Sequence, residues 1–301
     1  MNPSMSTLYF RELTPRQAVQ LFARHGWKVL ELSECHAYDL LTQGQPLQAG
    51  HSIRRFAADH GVSFLQGHLP VVWYSHTDRS RGRESYFDVA PENDLQWARA
   101  MDVLKRWIEL FSAIGIPYGV LHMGGSALKD AGWPDGAIFE HRVRSLSEIV
   151  QVADGGGLTV CLENMSYPNC GVETLDEIQA LIAGVGADNL AICLDTGHAV
   201  MAGLDCVEFI LGGGSLIQAL HVHDNIGIAD DHVLPYERKT IPWDRVLAAL
   251  SEIGYSNLLN MEIPGRDWCP MHVREARLDY AKALATYMTE RIAHQATGAQ
   301  R

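Results

Sequence analysis

The sequence predicts an α/β protein of the (β/α)8 TIM-barrel type, a single domain over residues 1–301. Three observations carry this prediction. Short apolar runs alternate with longer amphipathic segments, as in a parallel sheet covered by helices. The alternation occurs eight times in order, and eight units select a closed barrel. The length of 301 residues also fits, since such barrels take roughly 250 residues plus insertions. An open, doubly wound sheet is disfavoured. Its glycine-rich nucleotide loop would follow the first strand, where Phe10-Arg11-Glu12-Leu13 stands instead.

The elements follow along the chain. Leu8–Phe10 starts the first strand. Thr14 then opens a helix to His25 with Pro15 at its first position. Trp27–Leu32 reads as a strand, Ser52–His60 as a short helix, and Val62–Gly67 as a strand ending at His68. Residues 69–91 are aromatic and arginine-rich and read as a long loop insertion. Glu92–Ile114 is a long helix, and Pro117–Leu121 a strand ending at His122. A second loop, 124–136, precedes a helix over 137–153. Leu158–Leu162 leads to Glu163, and a helix covers 174–184. Leu190–Leu194 leads to Asp195, with a helix over 204–211. Leu216–Leu220 leads to His221, and Pro242–Ile253 is helical. Leu258–Met261 leads to Glu262, and a last helix spans 271–293. The tail, 294–301, is expected to fray.

Composition narrows the function. A formal net charge of −12 gives no general attraction to nucleic acid or anionic membrane. No segment approaches the ~20 apolar residues of a membrane span, and no basic-then-apolar leader precedes Met5. The six cysteines form no CxxC pair, and Cys161 and Cys193 lie inside apolar runs. A reduced, cytoplasmic setting is expected.

The residues that end the runs carry the chemistry. His68, His122, Glu163, Asp195, His221 and Glu262 each close an apolar strand. Barrel strands bring such ends to one mouth, where several strands jointly build a site. Buried carboxylates need partners or a metal. Three histidines with three carboxylates form a mutually satisfying set around a divalent cation. His198 follows Asp195 by three residues, and Asp230 and His232 add another chelate after the seventh strand. The mixed donor set suits Mn or Zn best, with Co or Mg as alternatives.

Several segments carry a family resemblance: "GHLP" at 67–70, "LHMGG" at 121–125, "CLENMS" at 161–166, "CLDTGHAVMAG" at 193–203, "HVHDN" at 221–225, "DDH" at 230–232 and "NMEI" at 260–263. The chain resembles the xylose isomerase-like barrel superfamily of sugar isomerases, sugar epimerases and metal-dependent apurinic endonucleases. Its epimerase-like members imply one metal held by Glu163, Asp195, His221 and Glu262, with His198 on the substrate. Its endonuclease-like members imply three zinc ions on nine ligands: those five residues together with His68, His122, Asp230 and His232. The chain departs from the endonuclease pattern where Met123-Gly124-Gly125 follows His122. It departs again where Pro235-Tyr236-Glu237-Arg238-Lys239 replaces a Gly-Glu-Gly stretch.

The expected function is therefore metal-dependent isomerisation or epimerisation of a small sugar or polyol-derived substrate through an enediolate. Glu163 and Glu262 would exchange the proton, and His198 would steady the oxygen that gains charge. The alternatives are a zinc-dependent phosphodiester hydrolase, a related dehydratase, and a non-enzymatic metal-dependent binding protein. Trp73, Tyr74, Tyr86 and Trp133 are expected to wall the substrate. Arg266, with Arg79, Arg81 and Arg83, offers donors to an anionic group. The expected partner is a small polar, carbohydrate-like molecule. Nucleic acid is disfavoured, no membrane is expected, and a homo-oligomer is left open.

Overall fold

The structure, a computed structural model, describes residues 1–74, 83–166 and 172–298. Ten strands occur among them: β1 (Asn2–Ser6), β2 (Val29–Leu32), β3 (Ser63–His68), β4 (Val72–Tyr74), β5 (Arg83–Tyr86), β6 (Tyr118–Leu121), β7 (Thr159–Glu163), β8 (Leu190–Asp195), β9 (Ile217–His221) and β10 (Leu258–Met261). Eight of them form one parallel sheet in the order β10-β1-β2-β3-β6-β7-β8-β9. The sheet closes at the mouth end, where Val222 bridges Met261 and its N–H donates to the Asn260 carbonyl at 2.8 Å. The architecture is the (β/α)8 TIM barrel that the sequence predicts.

Strand periodicity decides what faces inward. Val120, Cys161, Ala191, Cys193 and Ala219 form a small apolar cluster separate from the main core, on neighbouring strands in matched register. Alternate residues of those strands, such as Leu121, Leu162, Ile192 and Leu194, join the large core under the helices. Two residues beyond each inward position lies a residue on the same face. That parity carries Val120 to His122, Cys161 to Glu163, Cys193 to Asp195 and Ala219 to His221. The other half of the interior is polar, with buried Ser4, Glu31, Gln66 and Asn260 on β1, β2, β3 and β10.

The structure corrects several boundaries. The first strand is Asn2–Ser6, while Leu8–Phe10 lies in a 3-10 turn capped by Ser6. A helix at Glu34–Thr42 has no counterpart in the sequence reading, and the next helix begins at Pro46 rather than Ser52. Within 69–91 the described residues include two short antiparallel strands, β4 and β5, with Val72 paired to Tyr86. The 124–136 loop contains a short helix, Ser126–Asp130. The last helix runs from Met271 to Gly298, so 294–298 are helical, not frayed. No helix among the described residues is long and apolar enough to cross a membrane.

Candidate metal centre

Four strand ends converge below the mouth. Glu163, Asp195, His221 and Glu262 each place one ligand atom within 4.8 Å of the others. Nδ1 of His221 sits centrally, 2.9 Å from Oε1 of Glu163, 3.3 Å from Oε2 of Glu262 and 3.9 Å from Oδ2 of Asp195. Asp195, His221 and Glu163 are buried. Backbone and amide contacts fix them. Asn164 donates through its amide to the Asp195 carbonyl at 3.0 Å and accepts the Asp195 N–H at 2.8 Å, clamping β7 to β8. Asp195 also caps the helix Thr196–Met201, accepting the His198 N–H at 2.7 Å.

Two further clusters adjoin this one. His68 and His122 both approach Oε2 of Glu163, at 3.3 and 2.9 Å, so Glu163 is shared. On the other side, His223, Asp230 and His232 gather. Nε2 of His223 lies 3.0 Å from the Asp195 carboxylate, and Nε2 of His232 lies 2.9 Å from Oδ2 of Asp230. His232 takes a left-handed backbone, φ +42, that non-glycine residues rarely adopt. Its ring stacks 4.0 Å from that of His223, and its Nδ1 lies 2.8 Å from the Glu262 carbonyl. Nδ1 of His198 donates to the Asn164 carbonyl at 3.0 Å, which leaves its Nε2 3.5 Å from Asp230.

Charge follows from this packing. Burial pushes the Glu163 carboxyl up, but His221 and His122 outweigh it and hold the group well below the usual carboxylate range. Burial likewise acts on Asp195, where His198 and His223 win and keep it low. For Glu262 burial dominates and raises the carboxyl. Burial opposes protonation of His68, His198 and His232. Neighbouring carboxylates prevail, to about 9, about 10 and about 9. At His122 burial prevails and lowers the group.

A divalent cation fits this arrangement. The four ligand atoms are close enough to share one ion, and three of them belong to carboxylates that face imidazoles as counter-charge. Mixed nitrogen and oxygen donors of this kind suit a transition ion. Above the cluster lies a cavity of about 220 Å³ lined by His68, His122, Glu163, His198, Asp230 and Glu262 together with His232, Leu8, Glu34, Val71, Met165 and Tyr86.

Every residue expected to hold a metal therefore reaches one region. The expected substrate walls fare differently. Tyr86 lines the cavity, but Trp133 packs 5.9 Å from the His141 ring and is not part of the lining. Arg266 is exposed, with a left-handed φ of +56, and also lies outside the lining. Arg79 and Arg81 and the side chains of Trp73, Tyr74 and Arg83 lie outside the described residues. Sequence reasoning missed His223 and Glu31. His223 is two residues past His221 and therefore on the same face, a parity visible in "HVHDN". Glu31 is an acidic residue between Leu30 and Leu32, a position where a strand carboxylate needs an explanation.

Comparison with known proteins identifies the family. The chain is 26% identical over 211 residues to the uncharacterised protein y4fM of Sinorhizobium fredii, covering 68% of this chain and 66% of that one, just under two thirds of its length. It is 23% identical over 243 residues to an inosose isomerase of Bacillus velezensis, covering 78% of this chain and 81% of the relative. A crystal structure of D-psicose 3-epimerase in the presence of D-fructose superposes with a TM-score of 0.75, covering 96% of this chain and 99% of that one. At 16% identity this likeness speaks to the fold. The model of the xylose isomerase-like TIM barrel matches residues 19–290, and the chain belongs to that family.

Proposed function

We propose that the protein is a divalent-metal-dependent isomerase or epimerase of a small sugar or polyol-derived substrate. The observation that carries this reading is the cluster of Glu163, Asp195, His221 and Glu262 at the base of the mouth cavity. At about 220 Å³, that cavity is smaller than the roughly 300–1,000 Å³ typical of drug-sized ligand sites, which favours a small substrate. The sugar isomerase and epimerase relatives support the same class.

A Mn or Zn ion in the cluster would supply positive charge beside a substrate carbonyl and stabilise the developing enediolate. The protein's own groups do the rest. Glu163 and Glu262 flank His221 from different strands, so one can take the proton beside the carbonyl while the other returns it. His198 is held by Asn164 and directs Nε2 toward the cavity side, where it can donate to the oxygen that gains charge. A dehydratase would share the proton-removal step and then expel a hydroxyl.

The test is solvent deuterium exchange. Metal-loaded protein, incubated in D2O with a panel of ketoses, aldoses and inositol ketones, should incorporate deuterium at the carbon beside the carbonyl, read by NMR. Glu163→Gln and Glu262→Gln should abolish it with the fold retained. Absence of exchange and of product across the panel would sink the reading.

A second reading, zinc-dependent phosphodiester hydrolysis, is favoured by one specific observation: the three clusters touch. Glu163 belongs to two of them, and Asp195 contacts His223 of the third. His223 Nδ1 and Asp230 Oδ1 are buried without a hydrogen-bond partner. Anomalous diffraction from zinc-grown crystals counts the ions. Three occupied sites together with efficient nicking of abasic DNA would replace the isomerase reading.

A further inference from the structure

We propose that Glu31, on β2 and outside the ligand cluster, is the positioning residue that presents His221 to the metal through Nδ1. The inference rests on the reading that Glu163, Asp195, His221 and Glu262 hold a divalent ion.

Glu31 sits between Leu30 and Leu32 and is wholly buried. A carboxylate in that position is costly unless it is engaged. Its Oε1 has no hydrogen-bond partner among the described residues, but its Oε2 is engaged three times. Nε2 of His221 donates to it at 2.8 Å, Nε2 of Gln66 at 2.5 Å and Nδ2 of Asn260 at 2.9 Å. These donors come from β9, β3 and β10, so three strands of the barrel aim at one oxygen atom.

The consequence falls on the imidazole. A neutral histidine carries one ring proton and one lone pair, on opposite nitrogens. Glu31 accepts only, so it claims the proton at Nε2. With a cation bound, the lone pair is then at Nδ1, the atom 2.9 Å from Glu163 and 3.3 Å from Glu262, where the cation would take the place of the proton that Nδ1 otherwise shares with Glu163. The other tautomer would set a lone pair against the Glu31 carboxylate. Gln66 and Asn260 keep Glu31 from rotating away, because both amides grip the same oxygen. Glu31 lies on the far side of the ring from the cluster and does not itself join the ligand set. A carboxylate behind a metal-bound histidine fixes its orientation and makes it a more basic ligand, and loss of such a partner typically weakens metal binding roughly 10–100-fold.

The experiment titrates metal-stripped wild type, Glu31→Gln and Glu31→Asp with Mn2+ and Zn2+ by calorimetry, with circular dichroism and melting recorded on the same samples. Wild type should bind tightly, Glu31→Gln roughly 10–100-fold more weakly, and Glu31→Asp in between. NMR of the Zn2+-loaded wild type should show a slowly exchanging, downfield proton on Nε2 of His221. Metal affinity of Glu31→Gln within threefold of wild type overturns the proposal, even if its melting temperature falls. If Glu31→Gln does not fold, the wild-type spectrum decides, and an unprotonated Nε2 overturns the proposal. Failure of wild type to bind any divalent ion removes the metal reading itself, an outcome distinct from equal binding by wild type and variant.

Discussion

Gly197 makes room for a histidine. A Cβ built there would lie 2.0 Å from Cε1 of His223, deep inside the imidazole. Glycine therefore lets the Asp195 turn close over His223 while the His223 ring reaches the Asp195 carboxylate at 3.0 Å. Gly197→Ala should displace that ring and destabilise the protein by about 1–3 kcal/mol, the usual cost of overpacking. Urea unfolding reads the stability. Wild-type stability in the variant would mean that the ring does not occupy this place. The residue scale also shows what a single sequence can disclose. The six strand-ending residues of the mouth were legible because each closes an apolar run. His223 and Glu31 were not, for opposite reasons. His223 lies past the end of its strand, where only the two-residue parity places it inward. Glu31 lies inside a strand, where its partners Gln66, Asn260 and His221 come from three other strands and share no local pattern with it.

The helix Pro15–Arg24 owes its start to local chemistry that the sequence states outright. Thr14 accepts the Gln17 N–H, and the Gln17 side chain accepts the Thr14 N–H at 3.0 Å, a reciprocal cap with Pro15 at the first helical position. Thr14→Ala should cost about 1 kcal/mol of stability. Metal affinity should stay unchanged, because the cap lies outside the ligand cluster and the mouth cavity. A thermal melt paired with a metal titration checks both halves of that statement. Helices without such signals were harder to read. Glu34–Thr42 and Pro46–Asp59 have no side-chain cap, and Gly50 sits within the second of them. An interior glycine ordinarily costs a helix about 1 kcal/mol, which is why the pattern there reads as starting later. Here the missing side chain is used: a Cβ on Gly50 would lie 2.5 Å from the Cβ of Ala113, so the helix packs tightly on Asp94–Ile114. Tertiary packing, invisible locally, overrides propensity. The same holds at β1. Leu8–Phe10 is apolar enough for a strand, but Asn2–Met5 pair with Leu258–Met261 of β10 and take the strand position.

At the scale of the whole molecule, the mouth is a concentration of opposing charges that a cation would replace with one centre. Without metal, the carboxylates share protons held by histidines. His68 and His232 are raised to about 9 and His198 to about 10, where burial alone would have lowered them. A histidine raised above its unfolded value of about 6.5 stabilises the fold fully below that pH. The contribution is lost as pH climbs through the folded value. Glu163 and Asp195 behave oppositely: their depressed values stabilise above the ordinary carboxylate range and lose that contribution on acidification. Metal-free protein should therefore melt at progressively lower temperature as pH rises from about 7 to about 10. A divalent ion displaces the protons and supplies the positive charge itself, so its affinity should increase over the same interval. Saturation at roughly 100 times Kd adds about 2.7 kcal/mol to the folded state. The melting temperature of metal-loaded protein should then be higher and nearly flat up to the same alkaline limit. Melts of stripped and reloaded protein at matched ionic strength test this directly. A stripped protein whose melting temperature stays level or rises over that interval would show that these histidines are not protonated partners of the carboxylates. A loaded protein with the same slope as the stripped one would show that the ion binds away from the mouth.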